Sequence, residues 1–272
     1  MNSLEVLLKY KEYLKANGLA FTYYNFLKVF FDYLNENKVE VENITQEVIT
    51  KFFNANEYSA NSKNNFLKAG RHFWAFYFKG IDCPFLNLQY TKVDRRIPNY
   101  LTEKDLDKVI KYVGSVATSM SPLKVNAVLS FMFYTGLRLG ELLTLQRKDF
   151  KLEENSVKVI GHKEKREKVV LYTDQVKELL EGYFKEEVEE INAFNLTRDR
   201  LMTLFDHMQD IFPDKKLSPH KFRHSFAKHL INKGVDISIV SKLLGHSSLQ
   251  TTMIYVDPDE EMMKDIYKKK VG

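Results

Sequence analysis

Residues 122–136, PLKVNAVLSFMFYTG, are apolar on almost every helical face and stop at a glycine. A helix without a polar stripe has to be enclosed by other elements rather than laid on a surface. The stretch therefore predicts the buried central helix of a mainly α domain, ended by Gly136, and its surroundings read as helices packed around it. Thr102 caps a helix that begins in LTEKDLDKVI (101–110), and Thr197 caps one in LTRDRLMTLFDHMQDIF (196–212). In SPHKFRHSFAKHLINKG (218–234), Ser218 suits the cap, Pro219 the first helical position and Gly234 the end. Asp236 and Gly245 bound the next helix. The exception is SVKVI and KVVLY, two β-rich runs on either side of the charged turn GHKEKRE (161–167), which read as a hairpin.

Residues 1–82 read as four helices and no strands. Thr22 is the expected cap of the second, TYYNFLKVFFDYLNEN (22–37). The fourth, SKNNFLKAGRHFWAFYFKG (62–80), buries Phe66, Phe73, Phe76 and Tyr77 and turns Lys63, Asn64, Lys68 and Arg71 the other way. That second face suits plain solvation and DNA equally, since cations bind phosphates and asparagines can read base edges. Residues 83–99 have no hydrophobic period, prolines near both ends, and Lys92, Arg95 and Arg96, so they read as a basic linker. The expected organisation is a four-helix domain (1–82), the linker (83–99), and a mostly helical domain with a small β-hairpin or sheet (100–272).

Composition agrees with two folded domains: 272 residues, 44% hydrophobic and 13% aromatic, which is enough for real cores. The net charge of +5 and a pI near 8.9 suit an anionic partner. A single cysteine, Cys83, cannot form an intramolecular disulfide, which favours a cytoplasmic setting. The N-terminus lacks a secretory pattern, and no apolar run approaches the ~20 residues of a membrane span.

The chemistry turns on the histidines and arginines. His220 and His224 have a chelating spacing, but Lys221 and Arg223 would crowd a cation and no acidic cluster lies nearby, so no metal is expected. Neither a Gly-x-Ser-x-Gly elbow nor a nucleotide-binding glycine loop is present. A phosphate site fits better. Arg223 offers a bidentate fork, with His220 three residues earlier on nearly the same helix face. Arg138 follows Gly136 at the start of a new helix, and Glu141, three residues on, is placed to steady it.

Three segments in order, TGLRLGELLTL (135–145), SPHKFRHSFAKHL (218–230) and LLGHSSLQTTMIYVD (243–257), resemble the tyrosine recombinase (phage integrase) family, most nearly its Xer-like members. The resemblance covers most of residues 100–260, and the N-terminal helices look like the family's core-binding domain. It implies Arg138 and Arg223 as phosphate clamps, His220 and His246 as active-site histidines, and Tyr255 as the nucleophile, with His220 the expected base. The family's lysine belongs to the hairpin turn, usually directly after the glycine. This chain has His162 there, so Lys163 is assigned, with Lys165 second. Arg198 and Arg200 join Lys63, Asn64, Lys68, Arg71, Arg95 and Arg96 as expected DNA contacts, and His224 is left to helix packing.

The implied activity is site-specific recombination through a 3′-phosphotyrosyl intermediate, serving Xer-like recombination or the integration and excision of a mobile element. It would proceed without cofactor on double-stranded DNA. The chain would close on the duplex as a C-shaped clamp and form a homotetramer in the synaptic complex, but be a monomer or dimer when free. The tail DPDEEMMKDIYKKKVG (257–272) would dock on a neighbouring protomer. The alternatives are a relaxing enzyme of the type IB topoisomerase kind and a DNA-binding regulator with an idle site.

Overall fold

The computed structural model describes residues 3–19, 21–79, 82–93, 100–115, 120–161, 167–186, 191–213, 217–246, 248–256 and 267–268. The chain divides into two compact units, Met1–Arg95 and Arg96–Gly272.

The first unit contains α1 (Ser3–Ala16), α2 (Thr22–Glu36), α3 (Gln46–Asn54) and α4 (Ala60–Phe78). Its core is aromatic: Phe30 meets Phe52 and Phe66 edge to face, with ring centroids 4.9 and 5.2 Å apart, and Phe31 meets Phe73 in the same way at 5.2 Å. Edge-to-face packing sets ring hydrogens against π faces and fixes how the helices interlock. Thr45 and Ser59 cap α3 and α4 through their hydroxyls. Thr22 does not cap α2; it is the first helical residue, and Phe21 in the cap position makes no side-chain bond.

Residues 82–93, the first part of the expected linker, lie along α4 as a strap. Phe85 is completely buried in the aromatic core, in space that exists because residue 70 is glycine; a Cβ there would come within 2.3 Å of the ring. Strap backbone groups outside any helix or sheet still need partners, and α4 supplies them. Arg71 donates to the carbonyls of Phe85 (3.1 Å) and Leu88 (2.9 Å). Asn64 exchanges two 2.8 Å bonds with the backbone of Thr91.

The second unit runs α5 (Glu103–Ser115), α6 (Pro122–Thr135), α7 (Leu139–Leu143), β1 (Phe150–Lys151), β2 (Ser156–Ile160), β3 (Glu167–Leu171), α8 (Asp174–Glu186), α9 (Arg198–Met208), α10 (Pro219–Asn232) and α11 (Ile237–Leu244), then short 3-10 turns at Leu249–Thr251 and Met253–Tyr255. Helix α6 is the enclosed element the sequence implies, packed against α5, α8 and α10 and ended by Gly136 in the left-handed conformation. The strands form an antiparallel sheet in the order β1-β2-β3. Its register pairs Val157 with Val170 and Val159 with Lys168. Directly opposed residues share a face, so Lys168 lies on the side where Val157, Val159 and Val170 are buried. A separate apolar cluster of Phe226, Ala227, Ile231, Val240, Leu244 and Tyr255 joins α10, α11 and the last turn.

Candidate active site

Helix α10 is the spine of the site. Ser218 accepts from the backbone N–H of Lys221, and Pro219 occupies the first turn, so the helix starts where the sequence says. From there His220, Arg223, His224 and Lys228 recur at spacings of three and four and share one face. Arg223 is buried, donating from Nη1 to the Gly136 carbonyl (2.7 Å) and from Nη2 to that of Leu244. Burial, helped by the nearby charge of Arg138, lowers its pKa to about 10, which leaves it cationic at neutral pH.

Arg138 enters from the junction of α6 and α7. The buried Glu141 carboxylate accepts from its backbone N–H (2.9 Å) and from Nη1 (3.1 Å), while Nη2 donates to the Gly245 carbonyl (3.2 Å). The two arginines thus rest on consecutive peptide carbonyls, Leu244 and Gly245, where α11 ends. Gly245 has φ +63°, and a Cβ there would lie 3.7 Å from Lys168 Nζ and 4.0 Å from Arg138 Nη1. The backbone needs the conformation that glycine takes most readily, and the side chains need the space.

Lys168 completes this cluster from β3, its Nζ 3.1 Å from Glu141. Burial pulls its pKa below the ordinary lysine value and Arg223 and Arg138 push the same way, against the pull of Glu141. Burial alone would raise the Glu141 carboxyl, but the Arg138 backbone N–H and the two cations outweigh it and hold the group below its usual range.

His246 follows Gly245 directly. Its Nδ1 shares a 2.8 Å hydrogen bond with the fully buried Thr252 hydroxyl. Burial and the charges of Arg223 and Arg138 lower its pKa to about 4, so it is neutral. In the tautomer that accepts from Thr252, Nε2–H remains to donate. Tyr255 is buried against α10, its carbonyl accepting from Lys228 Nζ at 3.3 Å. Its hydroxyl shares a hydrogen bond with Nδ1 of His224. Burial raises the phenol pKa, with Arg223 working against it.

The structure therefore brings together Arg138, Glu141, Arg223, His246 and Tyr255, and adds Lys168, which the sequence did not single out, and His224, which it left to helix packing. The sequence of β3 does not itself mark Lys168 as inward, because the exposed Val169 and Leu171 are as apolar as the buried Val170; the register against β2 decides it. His220, the expected base, is exposed. It lies one turn before His224, ~6 Å along the axis, and Tyr255 is level with the later turn. His229 belongs elsewhere, 3.7 Å from Glu103 and edge-on to Phe133.

Among the expected DNA contacts, Arg198 and Arg200 are exposed at the start of α9. Arg71 and Asn64 face the strap instead of open solvent, with Arg71 also stacked 4.4 Å from the Tyr90 ring. Lys68 lies over that ring at 5.9 Å and Lys63 over Phe53 at 5.5 Å. Arg95, Arg96, Lys163 and Lys165 lie outside the described residues, as does the tail apart from residues 267–268.

The family model described as the phage integrase family matches residues 99–262, which is more than half of the chain. The chain belongs to that family. It is a tyrosine recombinase, an enzyme that breaks and rejoins DNA at specific sites. The chain is similar to tyrosine recombinase XerD of Haemophilus influenzae, at 30% identity over 88% of its length and 86% of the relative's. It is also similar to tyrosine recombinase XerC of Oceanobacillus iheyensis, at 28% identity over 99% and 97%. Among solved structures, the Tn1549 transposon integrase in complex with transposon right end DNA shares the fold, with a TM-score of 0.74 and 14% identity over 99% of both chains. No helix among the described residues of this recombinase is long and apolar enough to cross a membrane.

Proposed function

We propose that this recombinase cuts one DNA strand per protomer with Tyr255. The phenolic oxygen attacks the scissile phosphorus in line, and the bond to the next nucleotide's 5′-oxygen breaks, leaving a 3′-phosphotyrosyl link. The observation that carries the reading is the seating of Arg138 and Arg223 on the adjacent carbonyls of Gly245 and Leu244, with His246 next in the chain. Two guanidiniums fixed beforehand stabilise charge on the equatorial phosphate oxygens without reorganising during the reaction. His246 Nε2–H is a third donor to them.

Lys168, in place of the Lys163 assigned from sequence, protonates the leaving 5′-oxygen. A lysine whose pKa is held down gives up its proton more readily near neutral pH, and Lys168 shares Glu141 with Arg138. The phosphoester energy is kept in the tyrosyl link, so a second strand's 5′-hydroxyl can reverse the step and the reading requires neither metal nor nucleotide. One nucleophile per chain and four strands to exchange between two duplexes argue for a homotetramer on double-stranded DNA.

Trapping on nicked suicide DNA tests the assignment. Wild type should give a covalent adduct stable to denaturant. Tyr255→Phe should give none while still shifting the DNA in a gel, because it removes one oxygen and no charge. An adduct that persists in Tyr255→Phe reassigns the nucleophile.

A further inference from the structure

We propose that His224, and not His220, takes the proton of Tyr255 as it attacks, and returns it when the phosphotyrosyl link is resolved. This rests on Tyr255 being the nucleophile. In the forward step the Tyr255 Oη–P bond forms, the P–O5′ bond breaks, the phenolic proton passes to His224 Nδ1, and the 5′-oxygen takes a proton from Lys168. In the reverse step a 5′-hydroxyl attacks the phosphorus, its proton going to Lys168, and His224 reprotonates the departing phenolate.

The geometry carries this. Helix α10 holds the tyrosine at both ends: Lys228 Nζ bonds its carbonyl and His224 Nδ1 its hydroxyl, from positions four residues apart on one face. The ring between them belongs to the apolar cluster that includes Phe226, Val240 and Leu244, so the hydroxyl is held at the polar edge of that cluster. The group in hydrogen-bond contact with the attacking oxygen is where a base must be, and His224 fills that position. His220 has no described bond to Tyr255.

The charges around His224 support the same role. On its own helix it faces His220, Lys221, Arg223 and Lys228. Across from it are Tyr255 and, after α11, His246, which also feels Arg138 and Lys168. Burial first, and then His220, Lys221 and Arg223, lower its pKa to about 4, so the ring is neutral; in its Nε2–H tautomer, Nδ1 has the lone pair that accepts from the Tyr255 hydroxyl. Base strength is not fixed at that value. An anionic phosphate held by Arg138 and Arg223 offsets the positive charge that depresses His224, and charge builds there as the new bond forms. The base therefore strengthens as the phenol loses its proton.

The test is single-turnover adduct formation on nicked suicide DNA, with tyrosine or more acidic fluorotyrosines incorporated at position 255. His224→Ala should slow the adduct by on the order of 10²-fold or more while retaining DNA binding in a gel shift. The defect should shrink steadily as the phenol becomes more acidic and needs less help. His224→Asn can still hydrogen-bond the hydroxyl but cannot carry its proton at neutral pH, so it should remain as slow as alanine. It also serves as the second variant should alanine fail to fold.

A defect independent of phenol acidity, or rescue by asparagine, means that His224 only positions the ring and overturns the proposal. It is equally overturned if the defect of His220→Ala, rather than that of His224→Ala, shrinks with phenol acidity. Failure of the underlying reading looks different: Tyr255→Phe would still form adduct.

Discussion

Replacing Glu141 by glutamine tests whether one buried carboxylate organises the cations of the site. The carboxylate is 1% exposed and serves the Arg138 backbone, the Arg138 guanidinium and Lys168 Nζ. Glutamine is nearly isosteric and its amide oxygen can still accept from the backbone N–H, so the change is mainly the loss of a charge between two cations. Removing one partner of a wholly buried pair costs about 3–5 kcal/mol. Arg138 is 45% exposed and Lys168 22%, so water screens much of what is lost, and about 2–3 kcal/mol is the reasonable expectation here. For a unit of this size that lowers the melting temperature by about 5–10 °C.

The pH dependence adds a check with a definite sign. Without Glu141 the folded-state pKa of Lys168 falls further below its unfolded value of 10.5. Between the two values the unfolded state binds more protons, so stability rises with pH. The deficit of Glu141→Gln should therefore narrow as the pH climbs toward that value. Calorimetry or urea melts over a pH series read both effects. An unchanged midpoint, or a deficit that ignores pH, would refute the view that Glu141 is the shared counter-ion.

Other consequences are open to direct measurement. Lys168→Ala should slow adduct formation by on the order of 10²-fold or more, and a 5′-bridging phosphorothiolate, whose sulfur leaves without a proton, should restore most of the rate; no restoration would move the acid elsewhere. His224 and His246, both with pKa lowered to about 4, favour the folded state fully above the ordinary histidine value of 6.5. Between 6.5 and about 4 the unfolded chain takes up protons that the folded chain refuses, so thermal stability should fall as pH drops through that window. His246→Gln should fall less steeply, and a parallel curve would show that His246 does not titrate as described.

Most of the site is legible in the sequence because its parts are local. The caps at Ser218, Thr197 and Asp236, the stop at Gly245 and the buried character of 122–136 depend on neighbours within a turn or two, and each is found where expected. Arg138 with Glu141, and Arg223 with its helix, are legible for the same reason. What escaped depends on distant partners. The strap at 82–93 has no period of its own and is shaped by Gly70, Arg71 and Asn64 on α4. Lys168 is recognisable only once the hairpin register decides which face is inward. The hydrogen bond of His224 to Tyr255 forms only because Tyr255 returns to α10 after 31 residues.

The end of α11 also limits how this enzyme can be altered. One inserted residue in that helix would rotate its last peptide units by ~100° and withdraw both arginine perches together, with His246 following. Attempts to retarget such an enzyme by exchanging segments between relatives should therefore treat Ile237–His246 as one indivisible cassette and place crossovers outside it.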